Sequence, residues 1–260
     1  KHVLDTLSKD FTVITTHRKK NSINNHKQNK IYFDLENQNS YQQLDNLSNI
    51  DYIIHLAAKI GWSGEKLDDL YQSNVLATEA ILNLAKRNNS KMIFSSAALV
   101  HGANKRIISN SSKIKIDSPY MESKYLAEKL ILFSGIKNCI LRIAGIYGFN
   151  GPNHLALNKT ISDAINKKKL TYGKNLRGKR NYAYVKDVAN NIKFVVTKNI
   201  CGTHLVAGKD KITIKNMILK VYNLFHPEYK VKFKGTSIKI DQLVNHSDKL
   251  LAPMSFDQSL

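Results

Sequence analysis

Short apolar segments alternate with longer amphipathic segments along most of this chain. Segments rich in Val, Ile, Leu and Phe predict strands at 11–16, 30–35, 51–58, 91–100 and 138–146. Several of them are apolar on both faces, which is typical of parallel strands that are covered by helices. Helical patterns occupy 67–88 and 118–134. This alternation predicts an α/β fold with a doubly wound parallel sheet.

The last third of the chain has a different pattern. Residues 171–196 predict a loop, a short extended piece and a helix, and 212–225 predict another helix. We predict a sheet domain over residues 1–150. Residues 151–260 would form mainly a small substrate-binding lobe, with some segments that return to the first domain. Ligands of doubly wound sheets bind at the carboxyl ends of the strands, so the lobe would cover that edge.

Both ends of the chain look cut. It opens inside a helical pattern that runs straight into the first predicted strand, and no GxGxxG-like phosphate loop occurs in the sequence. At the other end, Ser255 and Gln258 have the spacing of a capping box, but the chain stops at Leu260, before we expect a helix to form. We predict a fragment of a longer protein, with the N-terminal strand and glycine loop missing.

Composition limits the classes of function. No apolar run approaches the ~20 residues that cross a bilayer, so we predict no membrane partner. Cys139 and Cys201 predict core thiols in a cytoplasmic protein, and the histidines lack metal-ligand spacing, so we predict no metal site. The net charge of +20 would suit nucleic acid or an anionic substrate. However, the basic residues are spread along the chain without interleaved aromatics, which does not favour nucleic acid.

A tyrosine and a lysine stand four residues apart in PYMESKYLAEK, residues 119–129. On a helix Tyr120 and Lys124 would share a face. A free phenol titrates near pH ~10, and a nearby ammonium lowers that pKa, so the pair is a candidate general base. For the pair alone, a solvated polar helix face is the alternative.

Six motifs in one order give a resemblance to a known family. They are HLAA (55–58), Asn74, SS (95–96), Tyr120 with Lys124, LRIAGIYG (141–148) and RNYAYVKDVA (180–189). In this order they resemble the extended short-chain dehydrogenase/reductase family, in its branch of NAD(P)-dependent nucleotide-sugar epimerases, dehydratases and reductases. The resemblance covers nearly the whole chain. It implies a Rossmann-like fold and a homodimer through the helices at 67–88 and 118–134.

The resemblance also implies catalytic roles. Tyr120 would move a proton on or off a sugar hydroxyl while hydride passes to or from the nicotinamide, and Lys124 would also hold the nicotinamide ribose. The family usually has a Ser or Thr at the counted position of Ala97. We predict that Ser96, one residue earlier, orients the substrate instead, and a core serine bonded to the backbone is the alternative. His101 replaces the family's tyrosine, which puts substrate contacts there in doubt.

The implied cofactor is NAD or NADP. The first predicted strand ends in THRKK, which has no acidic residue for a ribose 2′-hydroxyl. Arg18 could pair with a 2′-phosphate instead, which favours NADP, and a solvated turn is the alternative. Asp34 and Leu35 end the next strand, where the family's adenine contacts fall.

Further cofactor contacts are predicted at the end of the third strand. Leu56, Ala57 and Ala58 are small or apolar there, which would let a dinucleotide approach closely. Asn74 is an amide on an apolar helix face, so it needs buried partners, and the family places it near these strand-end loops. His55 is predicted to pack or cap rather than react.

The sequence thus predicts an NAD(P)-dependent epimerase or reductase that acts on a nucleotide-activated sugar. Arg180 resembles the family's arginine that binds the diphosphate of such a sugar. Dehydration is least favoured, because residues 97–99 lack the acidic pair of the family's dehydratases. Two alternatives stay open: a non-catalytic dinucleotide-sensing or nucleic-acid-binding protein, and a related oxidoreductase whose carbonyl substrate carries no nucleotide.

Overall fold

The computed structural model of the protein describes residues 1–19, 30–61, 66–168, 171–172, 176–235 and 240–260. The α-helices within these ranges are α1 (His2–Leu7), α2 (Leu67–Tyr71), α3 (Ala77–Asn88), α4 (Pro119–Phe133), α5 (Ala156–Ile165), α6 (Val185–Lys198), α7 (Ile214–Phe225) and α8 (Phe256–Ser259). The longer strands are β3 (Tyr52–His55), β4 (Lys91–Ala97), β6 (Asn138–Ile143) and β11 (Gly202–Val206).

The remaining strands are short. They are β1 (Thr15–His17), β2 (Lys30–Tyr32), β5 (Ile107–Ile108), β7 (Ile146–Tyr147), β8 (Thr171–Tyr172), β9 (Lys179–Arg180), β10 (Ala183–Tyr184), β12 (Ile212–Thr213), β13 (Lys232–Phe233) and β14 (Leu243–Val244). They pair two by two in small sheets around the central one.

The central sheet has four parallel strands in the order β11, β6, β4, β3. Its strands are apolar on both faces because helices cover both. Phe94 and Ile140 point to one face and pack with residues of α3 and α4, whereas Ile93 and Leu141 point to the other face and pack with α1 and α6. The predicted α/β fold with a helix-covered parallel sheet is therefore confirmed.

The first two strands differ from the prediction. Within the described ranges, β1 and β2 pair with each other in a separate parallel sheet and are shorter than predicted. β2 ends because the chain turns: the Asp34 N–H donates to Ser40 Oγ at 2.9 Å, and the Tyr41 hydroxyl donates to the Leu35 carbonyl at 2.7 Å. The prediction that a strand and a glycine loop are missing stays a prediction.

Other boundaries differ as well. The strands predicted at 51–58 and 138–146 end at His55 and Ile143. The strand predicted at 91–100 ends at Ala97 and continues as a 3-10 turn, Ala98–His101. The helix predicted at 67–88 contains a π-helical turn, Gln72–Leu76, between α2 and α3. At the C-terminus, the Ser255–Gln258 capping box is present and does start a short helix, α8, so the expectation of no helix was wrong.

A second apolar cluster lies outside the central sheet. It joins α5, α7 and α8 through Leu157, Met217, Tyr222 and Phe256. By contrast, α6 packs on the central sheet and β11 is one of its strands. The boundary near residue 150 stays a prediction.

Cys139 is buried as predicted, but Cys201 is exposed, because it lies just before β11 rather than inside it. Within the described ranges, no helix is both long enough and apolar enough for a membrane crossing.

Ile140→Ala should lower the free energy of unfolding by about 2–5 kcal/mol, because Ile140 is fully buried in β6 and its truncation leaves a cavity. Leu224→Ala is the matched control, since Leu224 on α7 is 55% exposed and should change stability by less than about 0.5 kcal/mol. Urea denaturation measures both. Equal effects would contradict the described core.

Candidate functional site

α4 carries Tyr120 and Lys124 over one face of the central sheet. Ser118 caps the helix, since its Oγ accepts a hydrogen bond from the Met121 N–H at 3.3 Å, and Pro119 begins the first turn. Tyr120 is half-buried, and Lys124 is only 3% exposed. The pair therefore lies at the inner face of α4, and a solvated polar face is excluded for Lys124.

Lys124 is a cation in an apolar environment. Its Nζ lies 4.0 Å from the centroid of the Phe94 ring on β4. Burial lowers the pKa of Lys124 to about 7, and the carboxylate of Glu128 opposes this shift. Among the described residues no hydrogen bond or ion pair reaches this Nζ. The ammonium is thus free to interact with a ligand.

Tyr120 differs from the expectation in one respect. Burial raises the pKa of Tyr120, whereas the sequence predicted that Lys124 would lower it. The cause is desolvation, since burial disfavours the charged phenolate. Without a ligand, the phenol is therefore a proton donor at neutral pH.

Ser96 lies on the sheet face that α4 covers. It follows Phe94 by two residues on β4 and stands opposite Arg142 on β6. Ser96 is 6% exposed, and its Oγ has no hydrogen-bond partner in the described part of the chain. Buried hydroxyls are nearly always bonded, so this oxygen has capacity for a group from outside the protein. Ala97, at the family's counted position, is half-buried and has no hydroxyl.

Asn74 ties the end of β3 to α4. Its Oδ1 accepts from the Lys59 N–H at 2.8 Å, and its Nδ2 donates to the Lys59 carbonyl and to Ser123 Oγ, each at 2.9 Å. Asn74 belongs to the π-helical turn, and such turns are frequent at functional sites. Because both of its donors are used, Asn74 positions the loop after β3 rather than contacting a ligand with its N–H groups.

The loop after β3 is open. Leu56 is 40% exposed, Ala57 is exposed and Ala58 is half-buried, so a ligand could approach the carboxyl end of this strand closely. His55 is buried, and its Nε2 lies 3.1 Å from Thr78 Oγ1. Burial and the nearby Lys124 lower the pKa of His55 to about 3. Hence His55 packs as a neutral side chain, as predicted.

The other predicted contact residues lie elsewhere. Arg18 is exposed just after β1. Asp34 and Leu35 hold the turn after β2. Arg180 is half-buried on β9, where its Nη1 donates to the carbonyls of Lys179 at 2.9 Å and Ile240 at 2.7 Å. The structure thus brings Tyr120, Lys124 and Ser96 to one sheet face, with Asn74 beside them.

Sequence reasoning missed a buried ion pair next to this site. Arg142 binds Glu128 with both ends of its fork, Nε to Oε1 at 3.0 Å and Nη2 to Oε2 at 2.6 Å. Its Nη1 also donates to His101 Nε2 at 3.0 Å. His101 is 2% exposed, so it supports Arg142 and does not face a substrate. The available signal was the spacing of Glu128, four residues beyond Lys124 on the same helix face.

The chain belongs to the NAD dependent epimerase/dehydratase family, which matches residues 1–208. The family predicted from the motifs is thereby confirmed. The chain is similar to UDP-glucuronic acid decarboxylase 3 of Arabidopsis thaliana, with 26% identity over 72% of this chain and 58% of that protein. It therefore spans less than two thirds of this curated relative.

Two solved structures have the same fold. One is UDP-glucuronic acid 4-epimerase from Bacillus cereus in complex with NAD, with a TM-score of 0.82, 21% identity and coverage of 99% of this chain and 91% of that one. The other is UDP-glucose 4-epimerase from Thermotoga maritima with UDP-glucose, with a TM-score of 0.80, 18% identity and coverage of 95% and 86%.

Lys124→Met should stabilise the protein, because methionine fills the site without a charge to desolvate. Burial lowers the pKa of Lys124 from 10.5 to about 7. The cost of burying the ammonium therefore lowers the free energy of unfolding by its full amount below pH 7, and this cost disappears as the pH rises to 10.5. The gain in free energy of unfolding should be about 1–4 kcal/mol near pH ~6 and close to zero near pH ~10.

Urea denaturation across this pH range measures the gain. Lys86→Met, at an exposed site on α3, is the control and should show no such pH dependence. A loss of stability in Lys124→Met at low pH would contradict the described burial of the ammonium.

Proposed function

We propose that this chain carries the catalytic pair of an NAD(P)-dependent enzyme that epimerises or reduces a nucleotide-activated sugar. The observation that supports this best is the burial of Lys124 of α4 over Phe94 on β4, because Tyr120 precedes Lys124 by about one helical turn and Ser96 follows Phe94 on the same face of β4, with no partner for its hydroxyl among the described residues. A proton-transfer group, a cation and a hydroxyl are the groups that hydride exchange at a carbon–oxygen bond requires from a protein.

The residues fit the nicotinamide end of a dinucleotide. The ammonium of Lys124 makes no ion pair within 4.0 Å among the described residues, and it would hold the nicotinamide ribose. Leu56, Ala57 and Ala58 would border the cofactor where β3 ends. Asp34 and Leu35 would lie at the adenine. The sequence contains no GxGxxG-like loop, so the pyrophosphate is not assigned to residues of this chain. When bound, NAD(P) would accept and return the hydride.

The chemistry of the protein would be proton transfer at the phenolic oxygen of Tyr120. As a proton donor at neutral pH, Tyr120 would protonate a developing alkoxide when a keto group is reduced. In the reverse direction it would take the proton from the sugar hydroxyl, and the Lys124 ammonium would stabilise the resulting phenolate. The Ser96 hydroxyl would orient the same sugar oxygen. Burial of the face would exclude water from the exchange.

Arg180 would bind the diphosphate of the substrate. Two carbonyls hold its Nη1, which leaves the other guanidinium N–H groups for phosphate oxygens. The relatives named above act on or contain UDP-sugars, which supports a uridine nucleotide. A carbonyl substrate without a nucleotide would instead leave a fluorescent UDP ligand unbound by this protein.

A second copy of the chain would cover the outer face of α3 and α4. A groove of about 360 Å³ lies between these helices, lined in part by Tyr71, Leu82, Leu130 and Phe133, and Phe133 is 83% exposed. The groove contains none of the candidate site residues. It would suit the homodimer that the family resemblance implies, with helices of both copies packed side by side.

Tyr120→Phe should lower turnover at least ~10²-fold in the natural protein that carries this sequence, since it removes only the titrating oxygen. Tyr125→Phe, five residues along α4, is the matched control and should retain turnover. Product formation from a panel of nucleotide sugars is measured by mass spectrometry, with circular dichroism as the check on folding. A folded Tyr120→Phe variant with the normal rate would remove Tyr120 from the mechanism.

Arg18→Gln should weaken NADP binding about 10- to 150-fold while leaving NAD binding unchanged, because a charged hydrogen bond to a 2′-phosphate contributes about 1.5–3 kcal/mol. Calorimetric titration of both dinucleotides into the natural protein measures this difference. If the substitution affects NAD and NADP equally, or neither of them, Arg18 does not select NADP, and the solvated-turn alternative holds.

A further inference from the structure

We propose that Glu128 is a positioning residue that acts through Lys124, and that Arg142 and His101 hold Glu128 in place for this role. The proposal rests on the proposed function of Lys124. It adds to that function the ion pair of Glu128 and Arg142, which lies between α4 and the sheet next to the catalytic pair.

The spacing on α4 places these groups together. Tyr120, Lys124 and Glu128 follow one another at intervals of four residues, so they lie in a row on the inner face of the helix. The Glu128 side chain is fully buried, and the Arg142 side chain is 13% exposed. A fully buried carboxylate is rare unless a cation pairs with it, and Arg142 forms a bidentate ion pair with Glu128.

His101 fixes the other side of Arg142. An arginine N–H can only donate, so His101 Nε2 accepts from Arg142 Nη1. A carbonyl can only accept, so His101 Nδ1 carries the proton and faces the Lys113 carbonyl at 3.3 Å. The ring is therefore neutral. Burial and the nearby Arg142 lower the pKa of His101, which agrees with this assignment. Arg142 is thus oriented without the addition of another charge.

The charges around Lys124 depend on Glu128. The titratable and charged groups on the elements packed about this lysine are Tyr120 and Glu128 on α4, His55 at the end of β3, His101 after β4 and Arg142 on β6. Of these, Glu128 is the acidic group whose charge favours the ammonium, against the burial that disfavours it.

Loss of the Glu128 charge would change the pH at which Lys124 titrates. If Glu128 became neutral, the burial that disfavours the Lys124 ammonium would remain without the acidic charge that opposes it. An arginine cannot release its proton in a protein, whereas a buried lysine can. Lys124 would therefore become neutral at a lower pH and could no longer stabilise the Tyr120 phenolate near neutrality.

The test is an NMR titration of the Lys124 side chain in the full chain, with isotope-labelled lysine. Glu128→Gln should move the Lys124 titration to lower pH by about one unit or more. Glu122→Gln, at an exposed acid on the same helix, should leave it unchanged. Glu128→Asp keeps the charge and should titrate close to the wild type, even if it is less stable. An unmoved Lys124 titration in a folded Glu128→Gln protein would overturn the proposal.

Glu128→Gln leaves Arg142 unpaired and could fail to fold. The double variant Glu128→Met with Arg142→Met removes both buried charges, and such replacements are often tolerated. It should again lower the pH at which Lys124 titrates, and an unchanged titration would overturn the proposal. This readout needs no turnover. If Tyr120→Phe retains activity, the proposed function fails alone; if Lys124 does not respond to Glu128 while Tyr120→Phe is inactive, only this inference fails.

Discussion

A lysine ammonium buried between α4 and the central sheet is the constraint on which the rest of the site depends. Lys124 lies over the Phe94 ring and is 3% exposed, so its charge is held against a desolvation penalty. Buried charged groups with shifted pKa values cluster at functional sites, where neighbouring charges and burial set those values. Here the Glu128–Arg142 ion pair lies next to it on the same face. The sheet face under α4 therefore accommodates charged side chains, although most of the surrounding strands are apolar.

Two hydrogen-bond networks fix the elements around this face. Asn74, in the π-helical turn, ties the loop after β3 to α4 through Lys59 and Ser123. On the other side, His101 connects the turn after β4 to Arg142 on β6. Both networks join a segment after a strand end to a neighbouring element. These hydrogen bonds tie the segments at the carboxyl ends of β3 and β4 to the elements beside them.

Much of the fold followed from the sequence because strand and helix periodicities are local properties. The shared face of Tyr120 and Lys124 also followed from their spacing. The sequence did not reveal the burial that reverses the expected pKa shift of Tyr120, since desolvation depends on the whole packed face. Nor did it reveal the exposure of Cys201 or the role of His101, because both depend on contacts between distant segments.

We propose that this face supports hydride exchange on a nucleotide sugar. The most direct measurement mixes the natural protein with NAD and a panel of UDP-sugars, and follows the near-ultraviolet absorbance of reduced nicotinamide together with the masses and stereochemistry of the products. We expect transient or lasting reduction of the cofactor, with a new or epimerised sugar, for at least one UDP-sugar and not for the free sugar alone. Cofactor binding without reduction or product across the whole panel would contradict it.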